Sequence, residues 1–185
     1  SFHVSQFFFI LYLCKVNEKA RVIEMVKVLF VCLGNICRSP LAEAIFNHKI
    51  NQSNLIHKFS SDSCGTSDYH IGELPDERTL NCAAKYGIPI QHRARQINRV
   101  DLRDFDYLIA MDNSNKKNIS TLLQNHNINH DRIFLIREFQ PETDSLEVPD
   151  PYYGGSECFE EVYGILNDAI EHFLEHLRKH EGTYV

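Results

Sequence analysis

The stretch from Val26 to Glu43 constrains this chain more than any other. Its first part, Val26 to Val31, is an apolar, β-branched run that suits a buried parallel strand. Its last part, from Ser39-Pro40 onward, has helical spacing, and Pro is tolerated there because the first helical N–H groups have no internal partner. Between them lies Cys32-Leu33-Gly34-Asn35-Ile36-Cys37-Arg38. A strand-to-helix turn of this kind aims successive backbone N–H groups into one concavity at the positive end of a helix, which makes an anion cradle.

The residue types say what such a cradle would do. A thiol at its floor, beside a helix N-terminus and a guanidinium, is expected to ionise well below a free pKa of about 8.5, and the thiolate is the nucleophilic form. Arg38 offers a planar fork that grips two oxygens of a tetrahedral anion. Gly34 and Asn35 are the residues best able to take the positive φ of a tight loop. Cys32 is therefore expected to attack the phosphorus of a bound phosphate ester. The loop amides of Leu33, Gly34, Asn35, Ile36 and Cys37, with Arg38, would hold the equatorial oxygens. The competing reading is a buried cysteine in an ordinary strand-to-helix turn. A nucleotide-binding loop fits less well, because no Gly-Lys-Ser/Thr follows the strand.

Val31 to Pro40 resembles the signature of the low-molecular-weight protein tyrosine phosphatases. The likeness continues through Asp62-Ser63, Asp68-Tyr69, His92 to Gln96, Phe105 to Tyr107, Met111 to Asn115 and Asp150 to Gly154, so it covers Met25 to about Lys179. The resemblance implies a hydrolase that removes phosphate from phosphotyrosine in proteins and from small aryl phosphates, an acid phosphatase-like activity, through a phosphocysteine intermediate. No cofactor is expected, and no metal, since no metal-ligand set stands in the sequence. The resemblance also implies that Tyr69 walls the substrate cleft, that Ser63 and His92 brace Asn35 and Ser39, and that Cys37 forms a reversible disulfide with Cys32 under oxidant.

The rest of the chain agrees with one α/β domain. Strands are expected at Phe59–Cys64, Phe105–Met111 and Arg132–Ile136, and helices at Ser39 to about Ile50, Asp76–Tyr86, Asp112–Asn125 and Ser156–Arg178. Strand, helix, strand forces a right-handed crossover, so the expected fold is α/β: a three-layer open sheet of about four parallel strands with helices on both faces. Leu80, Ala83 and Ala84 are expected to face inward on the second helix, which Gly87 would close. Val162, Ile165, Leu166, Ala169, Ile170, Phe173, Leu174 and Leu177 form the apolar stripe of the last. Asp112, at the carboxyl end of a strand, is expected near the site as helix cap or support rather than as acid. Arg93 and Arg95 read as solvated charge.

Cysteine and arginine alone leave a chemical gap, since a phenol with a pKa near 10 is a poor leaving group at neutral pH. Asp150 is the candidate acid, set between Pro149 and Pro151 in a stiffened loop. Desolvation among apolar neighbours would keep it protonated. From the residues alone, a plain turn is an equal reading; the family likeness decides for catalysis. Tyr152 and Tyr153 either line the cleft or are themselves phosphorylated.

Charge and cysteine usage exclude several classes. The net charge of −6 over 185 residues argues against nucleic acid as a partner, and no basic run marks a membrane surface. Six cysteines are scattered and ten histidines dispersed, so neither a disulfide framework nor a zinc site is expected, and reduced cytoplasmic thiols are the better reading. Residues 1–24 are expected to be an extension outside a catalytic domain at 25–185. The eight-residue apolar run from Phe7 to Cys14 is too short to span a bilayer, and membrane contact there is the lesser reading. Thioredoxin-coupled arsenate reductases share the loop but need two further cysteines downstream, and only Cys82 stands near. Protein-arginine phosphatases tend to carry Thr where this loop has Ile36. A phosphotyrosine-binding module without activity would usually lose Cys32 or Asp150.

Overall fold

The computed structural model describes residues 25–181. Four parallel strands form one sheet: β1 (Val26–Cys32), β2 (Phe59–Gly65), β3 (Tyr107–Ala110) and β4 (Ile133–Leu135), in the order β2-β1-β3-β4. Among the described residues five helices connect and cover it: α1 (Arg38–Gln52), α2 (Glu77–Lys85), the single turn α3 (Asp101–Asp104), α4 (Asn113–Asn125) and α5 (Ser156–His180). A 3-10 turn, Ile136–Phe139, follows β4. The fold class is the expected one.

The alternation along β1 explains the three layers. Val28 and Phe30 point into a core with Leu41, Ile45 and Phe46 of α1 and Leu166, Ile170 and Phe173 of α5. Leu29 and Val31 point the other way, against Ile119 and Leu123 of α4. Both sets are completely buried, which is why the run is continuously apolar rather than alternating. β1 pairs with β2 on one side and β3 on the other, so the chain leaves it in opposite directions. That reversal opens a crevice at the carboxyl ends of the strands, where Cys32 ends β1.

Element bounds differ from the sequence expectation in instructive places. Asp106, expected inside β3, lies before it and accepts the Lys27 N–H at 2.7 Å. On α2 the buried residues are Thr79, Cys82 and Ala83; Leu80 is half-buried and Ala84 exposed. A helix of nine residues offers one i, i+3, i+4 stripe, and Ala84 falls about 100° beyond it. Ile165 of α5 is likewise half-buried, at the margin of its stripe. Gly87 closes α2 with φ +70° as expected. The N-terminal extension and the run at residues 7–14 lie outside the described residues. Among the described residues no helix is long and apolar enough to cross a membrane.

Candidate active site

The loop between β1 and α1 is built around Asn35, which takes φ +57°. Gly34 does not share that conformation; it is small for a different reason. A side chain on it would begin 3.0 Å from the His70 ring. The loop also rests on Gly65 at the end of β2, where a Cβ would lie 2.6 Å from the Leu33 carbonyl oxygen. Thr66 N–H donates to Cys32 O and Ser67 N–H to Leu33 O, at 2.9 and 3.0 Å, so the next segment fastens the loop's first residues.

Cys32 is buried at the turn. Its sulfur accepts the Asn35 N–H at 3.2 Å and lies 3.0 Å from the Ser39 hydroxyl. The Asn35 side chain makes four contacts. Its amide nitrogen donates to Ser39 Oγ at 2.9 Å and Ser63 Oγ at 3.0 Å. Its oxygen accepts the Arg95 N–H at 2.9 Å and sits 2.7 Å from His92 Nε2. A backbone N–H can only donate, so that oxygen is an acceptor and His92 Nε2 must carry the hydrogen it shares. Behind them Glu43 accepts from Ser63 Oγ at 2.7 Å and lies 3.3 Å from His92 Nδ1. Ser39, Ser63 and His92 thus stand together as the resemblance implied, with Glu43 and the Arg95 backbone as members the sequence did not reveal.

Arg38 is 3 % exposed. Its Nη1 donates to Asp112 at 2.7 Å and to the Val148 carbonyl at 3.2 Å, and its Nη2 to Asp150 at 2.8 Å. Burial opposes its charge, but Cys32, Asp150 and Asp112 around it outweigh burial and push the guanidinium above its ordinary value. Asp112 also caps α4, accepting the Asn115 N–H at 2.7 Å. Asp150 is where the expectation needs correcting: its side chain is 42 % exposed and one oxygen rests on Arg38, so the carboxyl is not desolvated. The prolines stiffen its loop without enclosing it.

These groups face one cleft of about 300 Å³, formed by residues 32–34 and 36–38, by Tyr69 and His70, and by Asp150, Tyr152 and Tyr153. Tyr69 and Tyr153 are largely exposed, and Tyr152 packs edge-on against Tyr153 with ring centres 5.0 Å apart. Cys37 is 5 % exposed among Ile36, Cys82, Ala94 and Phe159, and burial pushes its thiol up to about 12. The five described cysteines are free thiols. His70, which pairs with Glu73 at 2.7 Å, and Arg78, which holds the Asp150 loop, were missed in the sequence.

Arg95 is not merely solvated. It pairs with Asp62 at 2.8 Å and Asp101 at 2.9 Å while its N–H serves Asn35, so it braces the loop. Glu43, Asp62 and His92 bring one ligand atom each within 4.8 Å of one another, a grouping the dispersed histidines did not suggest. Each is already engaged, by Ser63, Arg95 and Asn35 respectively.

The family profile described as low molecular weight phosphotyrosine protein phosphatase matches residues 27–182. The chain is 43 % identical over 151 residues to the low molecular weight phosphotyrosine protein phosphatase of Schizosaccharomyces pombe, covering 81 % of this chain and 96 % of that one. It is similar to the crystal structure of YfkJ from Bacillus subtilis, at a TM-score of 0.78 and 40 % identity, covering 84 % of this chain and 96 % of that one. It is also similar to the Drosophila arginine phosphatase DARP, at 0.79 and 33 %, covering 83 % of this chain and 98 % of that one.

Proposed function

The chain belongs to the low molecular weight phosphotyrosine protein phosphatases, and from that premise we propose that it hydrolyses phosphotyrosine in proteins through a phosphocysteine on Cys32. The observation that carries it is that Cys32, Arg38 and Asp150 line one cleft: the Cys32 sulfur accepts the Asn35 N–H, and Arg38 is bonded to Asp150 at 2.8 Å.

In the first step the Cys32 sulfur attacks phosphorus and the bond from phosphorus to the tyrosyl oxygen breaks. Asp150 gives its proton to that oxygen. The loop amides of residues 33–37 and the Arg38 fork hold the three equatorial oxygens as charge spreads over them. In the second step Asp150 takes a proton from water, the water oxygen attacks phosphorus, and the sulfur–phosphorus bond breaks. Ser39, 3.0 Å from the sulfur, is placed to donate to it as it leaves. A phosphate bound in the loop competes with Asp150 for Arg38 Nη2.

Tyr69, Tyr152 and Tyr153 would flank the phosphotyrosyl ring. Phosphotyrosine-containing proteins are the partners, residues 25–185 the catalytic domain with 1–24 an extension, and a reducing cytoplasm suits a reaction that needs a free thiol. Similarity to an arginine phosphatase supplies the one rival substrate, against which stands the apolar Ile36 lining the cleft.

Phosphate release from a phosphotyrosine peptide tests the proposal. Cys32→Ser should show no turnover, and Asp150→Ala should lose ~100- to 10,000-fold. Turnover by Cys32→Ser at the native rate would remove the nucleophile, and faster release from a phosphoarginine peptide would replace the substrate.

A further inference from the structure

Each oxygen of the Asp150 carboxylate has one donor. Oδ2 accepts from Arg38 Nη2 at 2.8 Å, and Oδ1 from the Tyr152 N–H at 3.2 Å. In the reaction proposed above, phosphate competes for Arg38. The Tyr152 backbone is then what continues to aim the carboxyl, so whatever fixes that backbone governs proton transfer.

The Tyr152 backbone is held from across the molecule by Arg78, in the first turn of α2. Arg78 Nη2 donates to the Tyr152 carbonyl at 3.0 Å and Nη1 to the Gly154 carbonyl at 2.9 Å. The guanidinium is itself immobilised. Asp76 accepts Nε at 3.0 Å and Nη2 at 2.7 Å as a fork, and also the Arg78 N–H at 2.8 Å. The guanidinium carbon lies 4.5 Å from the centre of the buried Phe159 ring at the start of α5, and 5.9 Å from that of Tyr152. Two backbone carbonyls, a carboxylate fork and an aromatic face are more than a solvated surface arginine needs.

We propose that Arg78 is a positioning residue for the proton donor: it fixes the Tyr152 backbone, and through the Tyr152 N–H the Asp150 carboxyl, against the leaving oxygen. The inference rests on Asp150 being that donor. It separates Arg78 from the phosphate-binding machinery, because Arg78 acts on the leaving group alone. Esters whose leaving group departs without a proton should be indifferent to it.

The test compares kcat/KM for phenyl phosphate and 2,4-dinitrophenyl phosphate in wild type, Asp150→Ala, Arg78→Ala and Arg78→Lys. Arg78→Ala should lose ~10-fold or more on phenyl phosphate and less than about threefold on the dinitrophenyl ester, in the manner of Asp150→Ala but more weakly. Arg78→Lys keeps the charge yet cannot span both carbonyls and the Asp76 fork, so it should show the same selective loss. It carries the test if the alanine variant fails to fold. An equal loss on both esters, or none, in the folded Arg78 variants while Asp150→Ala is selective overturns the role of Arg78 alone. No selectivity in Asp150→Ala overturns the reading of Asp150 and this inference with it.

Discussion

Asn35 shows how much a single side chain carries. It takes a left-handed conformation that costs most residues about 1–2 kcal/mol, and its amide joins β2, α1 and the segment from His92 to Arg95. Asn35→Ala would keep the strained backbone and leave buried groups of Ser39, Ser63 and Arg95 short of a partner. We expect a loss of ~3 kcal/mol in urea unfolding, since each orphaned buried group costs about 1–3 kcal/mol. Asn35→Gly should be less damaging by about 1 kcal/mol, because only the bonds are lost and not the conformational preference. Equal losses in the two variants would show that the backbone is unstrained. Asn35 was legible in the sequence because its residue type and loop position speak for themselves. Arg78, Arg95 and Glu43 were not. The contacts that tie them to the site run to backbone atoms or side chains 20 to 76 positions away, and a charged residue in isolation looks solvated.

Among the elements, α4 ties stability to the site through its cap. Asp112 accepts the Asn115 N–H with one oxygen and Arg38 with the other. Asparagine caps helices as well as aspartate, whereas alanine does not. Asp112→Ala should therefore unfold more readily than Asp112→Asn by about 1 kcal/mol, both variants having lost the ion pair with Arg38. A urea titration of the pair separates the cap from the charge, and indistinguishable midpoints would mean the cap contributes nothing. Strands, helix spacing and this cap could be read from apolar periodicity and residue type. The inward face of α2 could not, because the buried Thr79 and the expected Leu80 and Ala84 differ only in angle around a nine-residue helix. Nor could the setting of Asp150 be read: prolines report stiffness, not enclosure.

Across the whole molecule, buried thiols set the alkaline limit. Burial pushes Cys37 from 9.0 up to about 12 and Cys82 up to about 11, and Tyr107 rises likewise through burial and its bond to Glu181. Each is neutral when protonated, so the folded state holds its proton more tightly than the unfolded chain does. That stability is complete below about pH 9 and is lost as pH climbs through 11 to 12. The urea midpoint should hold level from pH 7 to 8 and fall steadily above 9. Replacing Cys37 and Cys82 together by alanine should flatten the fall, and an unchanged slope would assign it to other groups.

The clamp on Arg38 has a consequence for the order in which the protein becomes competent. Its guanidinium is fastened by Asp112, by the carbonyl of Val148 and by Asp150, and the sheet beneath it is packed by α5, which ends at His180. A chain growing from the ribosome therefore carries Cys32 and Arg38 well before Val148, Asp150 and α5 exist to hold them in place. An unfinished chain that stops short of residue 148 has only Asp112 of the three partners of Arg38, so on the reading proposed above it should release phosphate from aryl esters far more slowly than the finished one.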